Sequence, residues 1–96
     1  MPLEYLPGEP VEVRVARRDR RVKLTDDGRA VALAGRPRGW WEPLERMVRE
    51  EFDLNLSRSG EVFVPVVDRG QALDELEQRV AAASLAVHRG LLDLQG

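Results

Sequence analysis

The sequence predicts an α+β fold: an antiparallel sheet of two β-hairpins with helices packed on it, in the order ββ-α-α-ββ-α. Three observations carry that reading. Residues 11–24 and 54–66 alternate apolar and polar side chains with period two, the mark of half-buried strands. Residues 42–52 and about 69–89 repeat their apolar residues at helical spacing. Ninety-six residues leave room for one core, so these elements must pack on one another.

The opening "MPLEYLPGEP" holds three prolines and a glycine, and reads as an irregular lead-in (1–10) to a single domain over 11–94. "VEVRVARRDRRVKLT" then forms the first hairpin, burying Val11, Val13, Val15, Val22 and Leu24 on one face. With "RRDR" (17–20) as the loop, Val15 faces Val22 and Val13 faces Leu24. That register sets Arg14 opposite Lys23 on the outer face, where like charges repel. After "DDG", the stretch "RAVALAG" predicts a short helix over 27–34, with Asp26 as its N-cap and Gly35 as its stop. A third strand competes there, because Val31 and Leu33 also alternate.

Residues 42–52 predict a stronger helix. Leu44, Met47, Val48 and Phe52 form its apolar stripe, and Glu45–Arg49 and Arg46–Glu50 its wet-side pairs. The second hairpin turns at Arg58-Ser59-Gly60 and places Leu54, Leu56, Val62, Val64 and Val66 on one face. Pro65 predicts an edge position for its strand. Asp68 and Gln71 form a capping-box variant opening the last helix, with Leu73, Leu76, Val80 and Val87 inward and Gly90 at its end.

This element order, with "LTDDG" (24–28) after the first hairpin, resembles the prokaryotic domain of unknown function family numbered 1828. The resemblance covers about residues 11–94 and implies no activity. It associates the chain with phage and mobile-element neighbourhoods.

The chemistry is sparse. Asp26 and Asp27 lack the further oxygens that a cation needs, and adjacent residues on extended chain point apart. They are therefore expected to turn the chain, not to react. His88 is the single histidine, and the serines have no neighbouring base. No phosphate-cradling glycine motif occurs. The expectation is no catalytic residue, no metal and no cofactor. The absence of cysteine, of a signal-like start and of any long apolar run predicts a cytoplasmic protein away from membranes.

The run 14–23 is the one concentrated charge. Arg14, Arg17, Arg18, Arg20, Arg21 and Lys23 are candidate phosphate contacts on a two-stranded ribbon, with Arg36, Arg38, Trp40 and Trp41 expected near the same end. A net charge of −2 and the lack of interleaved aromatics weigh against that use. Phe63 and Val67 on the face opposite Val62, Leu85 on a second apolar side of the last helix, and Trp40 or Trp41 are the candidate partner contacts. A small domain with apolar surface on two sides is expected to complete its core as a homodimer. The first expectation is thus a non-enzymatic, regulatory protein-interaction module with an unknown protein partner. A small nucleic-acid-binding protein is the second.

Overall fold

Alternation and helical periodicity resolve, in a computed structural model that describes residues 3–67 and 72–96, into six strands and three helices. The chain runs β1 (Glu4–Leu6), β2 (Glu9–Pro10), β3 (Arg14–Arg18), β4 (Arg21–Thr25), α1 (Arg29–Ala34), α2 (Trp41–Phe52), β5 (Asn55–Leu56), β6 (Val62–Pro65) and α3 (Leu73–Gln95). It is an α+β fold with a four-stranded antiparallel sheet in the order β3-β4-β6-β5 and a separate two-stranded β1-β2 sheet. No helix among the described residues is long and apolar enough to cross a membrane.

The lead-in is not irregular. Residues 4–10 form the small hairpin β1-β2, and Tyr5 enters the core, so the domain begins before residue 11. The prolines stand where the hairpin needs no ladder donor: Pro7 in its turn and Pro10 at its last position. Val11, just past β2, still donates its N–H to Leu3 O at 2.8 Å, which extends this hairpin by one bond.

The first hairpin sets Val15, Val22 and Leu24 on one face as expected, but Val15 is exposed, Val11 and Val13 precede β3, and the register changes. Asp19, at φ 56°, allows a two-residue turn, Asp19-Arg20, in place of the expected four. Val15 consequently pairs with Leu24 and Arg14 with Thr25, while Lys23 stands opposite Ala16. A slip of two residues preserves the side-chain faces. The like-charge pair is Arg18 opposite Arg21, beside the turn, not Arg14 opposite Lys23.

In the second hairpin Leu56 pairs with Val62 and Asn55 with Phe63, as the three-residue turn requires. Pro65 does not mark an edge strand, since β6 lies between β4 and β5. The proline is tolerated because β5 is only two residues long: beyond Phe63, that side of β6 has no ladder partner. Leu24, Leu56, Val62 and the half-buried Val64 face the helices, whereas Lys23, Phe63 and Pro65 share the opposite face.

The helices cover the inner face. α1 is a helix, not a third strand, and Gly35 ends it by donating its N–H to Val31 O. α2 buries Leu44 and Val48, forms the expected Glu45–Arg49 ion pair and ends at Asp53 in a left-handed conformation. α3 is longer than expected and runs through Gly90 to Gln95. Gly90 is not a stop but a place of close approach, because a Cβ there would lie 2.6 Å from Leu44 Cδ2. Leu76, Val80 and Val87 are buried as expected, but Leu73 is exposed. The capping residues Asp68 and Gln71 and the start at residue 69 lie outside the described residues.

Candidate interaction surface

The Leu24–Gly28 element forms the corner where β4 hands over to α1, and each polar group in it has a partner. Thr25 donates its hydroxyl to Glu61 and accepts the Asp27 N–H at 3.0 Å. Asp26 is 2% exposed and does not cap α1; Gly28, left-handed at φ 71°, occupies the N-cap. Its Oδ1 accepts the N–H groups of Gly28 (2.8 Å) and Val62 (2.9 Å), and its Oδ2 accepts the Ser84 hydroxyl at 2.5 Å. One carboxylate therefore joins the helix start, the neighbouring strand and α3. Burial pushes its carboxyl above the ordinary carboxylate range, against these three hydrogen bonds, which favour the ionised form.

Asp27 lies in the turn after β4, left-handed at φ 58°, and its side chain takes a separate partner. Both its oxygens accept from the Arg14 guanidinium at 2.7 and 2.8 Å, which holds its carboxyl below the usual range. A depression of about 620 Å³ beside it is lined partly by charges already matched, Arg14 with Asp27 and Arg29 with Glu9. Neither aspartate is presented to solvent uncommitted.

Behind the corner, the Ser84 proton goes to Asp26, so the Tyr5 hydroxyl donates to Ser84 at 2.5 Å. Burial pushes the Tyr5 phenol up to about 12. The Tyr5 ring lies 5.3 Å from that of His88, which is 1% exposed and has no hydrogen-bond partner among the described residues for either ring nitrogen. Burial lowers the His88 pKa and disfavours the charged ring. His88 sits inside α3, one turn after Ser84, rather than at a helix end. Nothing in the sequence marked Tyr5, Ser84 or Glu61 as members of this network, since each joins it across the fold.

The basic run divides into two groups. Arg14 is held by Asp27, and Lys23 by Glu61 at 2.8 Å with its ammonium 5.2 Å from the Phe63 ring centroid. Arg17, Arg18, Arg20 and Arg21 have no ion pair among the described residues. They surround the tip of the β3-β4 hairpin, with Arg17 on the inner face and Arg18 and Arg21 on the outer. On the inner face, Val15, Val22, Leu24, Val66, Val67 and Leu73 line a depression of about 610 Å³ that Arg17 and Arg20 flank. This apolar hollow under charged rims is legible only from the folded register.

The other candidates disperse. Trp41 donates Nε1–H to Leu56 O at 3.2 Å and lies under the Arg58 guanidinium, while Arg36 binds Ser59 O. These groups gather at the β5-β6 turn, beside the far end of β4 from the arginine tip, and do not join the basic run as expected. Trp40, Trp41 and Leu85 are half-buried against the core, and Phe63 is half-buried beneath Lys23. Val67, 84% exposed, borders the inner-face depression. No family model, no curated protein and no solved structure matches this chain.

Proposed function

We propose that this is a non-enzymatic, cytoplasmic protein-interaction module of regulatory type, and that the β3-β4 hairpin is its contact surface. One observation carries the reading: four arginines with no ion pair among the described residues lie with an apolar hollow on an exposed strand pair, while the other polar clusters described are internally satisfied. Charge at a rim steers and selects partners, and apolar area beneath it supplies affinity. Self-association belongs to the same reading. Leu3, Leu6, Leu92 and Leu94, outside the hairpin, leave apolar surface for a second copy. The test is capture from nuclease-treated cell extract, comparing the wild type with Arg17→Glu/Arg20→Glu. Protein partners lost in the variant support the reading; identical recovery by both sinks it.

Phe63 favours a second reading. It is an aromatic on the helix-free sheet face with Lys23, Arg18 and Arg21 around it, a small version of the stacking platform that single-stranded nucleic acid uses. It ranks second because Lys23 already covers the ring and Glu61 sits beside it. Retention of nucleic acid instead of protein in the same experiment would reverse the order.

A further inference from the structure

We infer that the edge of β3, unpaired among the described residues, accepts an extended, acidic segment of a protein partner as an added fifth strand. The inference rests on the interaction-module reading and specifies its partner chemistry. Of the two edges of the main sheet, β5 offers two residues, whereas β3 offers five, Arg14–Arg18, nearly all exposed. In an antiparallel pair the ladder bonds of successive residues alternate in direction, so β3 turns every second set of N–H and C=O groups away from β4. Those groups are the template that strand addition uses.

Charge selects the occupant. If a second copy paired antiparallel through Ala16, Arg14 would stand opposite Arg18 twice and Val15 opposite Arg17. Like charges directly opposite are destabilising, so the edge is blunted against itself. The same cations attract a strand that carries carboxylates. On the outer face such a strand would set acids beside Arg18 and Arg21; on the inner face it would set an apolar side chain beside Val15, which is 43% exposed over the hollow that Val22 and Leu73 line. Arg17 and Arg20 flank that hollow and suit an acid at its end. The partner is therefore an extended segment alternating acidic and apolar residues.

Fluorescence anisotropy with a labelled octapeptide alternating glutamate and valine tests this, together with two versions N-methylated on one or the other alternate set of amides. Only one set can face β3, because N–H groups on successive strand residues point to opposite sides. The expected result is saturable binding by the full-length chain, weakened at least about tenfold by one methylation pattern and little by the other, as losing two or three ladder bonds predicts. Arg17→Glu/Arg20→Glu, folded by circular dichroism, should weaken it to a similar degree. Equal behaviour of the two methylated peptides, with the arginine dependence kept, overturns strand addition and leaves the interaction surface standing. No peptide binding at millimolar concentration overturns the inference. Tighter binding of a single-stranded oligonucleotide than of the peptide overturns both it and the reading beneath it.

Discussion

His88 brings two ring nitrogens into the core beside the Tyr5 ring, and neither has a partner among the described residues. Because the folded chain resists protonating that ring, the stability tied to its neutral form is complete above the ordinary imidazole value of about 6.5. It is lost as the pH falls below that value and through the lower pKa of the folded state. The leucine variant His88→Leu has no such proton to exclude and no unpaired nitrogen, a feature that costs about 1–3 kcal/mol. It should match or exceed the wild type in urea at pH 7.5 and lose less stability down to pH 5.5. The difference in slope is bounded by about 1.4 kcal/mol per pH unit; identical slopes would mean that another group sets the acid sensitivity. Asp26 makes the opposite case, a buried polar group fully used. Truncation in Asp26→Ala leaves the N–H groups of Gly28 and Val62 and the Ser84 hydroxyl without their acceptor, and should cost about 3 kcal/mol or more. Asp26→Asn keeps an oxygen for both amides and removes a charge that burial already disfavours, so about 1 kcal/mol is expected. Equal losses in the two variants, read by chemical denaturation, would deny the carboxylate its bridging role.

At the scale of elements, the β5-β6 turn meets α1 through one glycine. Gly60 has φ 103°, and a Cβ there would stand 2.7 Å from Val31 Cγ2 and 2.8 Å from its Cβ. Strained backbone and overpacking together predict a loss of about 3 kcal/mol for Gly60→Ala. Adding Val31→Ala should make the double variant cost less than the sum of the singles, whereas strict additivity would place the strain in the backbone alone. The same turn explains which elements were legible in the sequence. Period two needs only nearest neighbours along the chain, so the faces of both hairpins follow from residues 11–24 and 54–66. Register depends on the turn, and Asp19 in a left-handed conformation shortened it by two residues. Gly90 looks like a helix stop until Leu44 is known to lie against it. Residues 4–10 look irregular because their buried anchor, Tyr5, reaches Ser84 seventy-nine positions away. Asp26 looks like a cap for the same reason: beyond the nearby Gly28 N–H, its partners lie on β6 and α3. Local patterns mark faces and helices, while long-range polar contacts leave no local trace.

For the molecule as a whole, charge placement sets what the hairpin can do with a polyanion. The net charge is −2, and α2 adds Glu45, Glu50 and Glu51 to a body only 41 × 29 × 24 Å in extent, so a duplex reaching past the tip meets repulsion. Each phosphate contact on duplex DNA lowers log affinity by about 0.9 per unit of log salt. Six cations would give a slope steeper than about 5, if all were free and on one face. Arg14 and Lys23 are instead committed to Asp27 and Glu61, and Arg17 faces away from Arg18 and Arg21 across the strand pair. One backbone can then engage Arg18, Arg21 and, at the turn, Arg20. A salt titration with duplex DNA should therefore give a slope of about 3 or less, with Kd no tighter than about 10⁻⁶ M at physiological salt. Arg18→Gln/Arg21→Gln should flatten that slope by about 2, and Arg14→Gln should leave it unchanged. A slope above about 5 that Arg14→Gln reduces would mean that polyanion binding draws Arg14 away from Asp27. The corner between β4 and α1 would then be a participant in recognition, and the nucleic-acid reading would take first place.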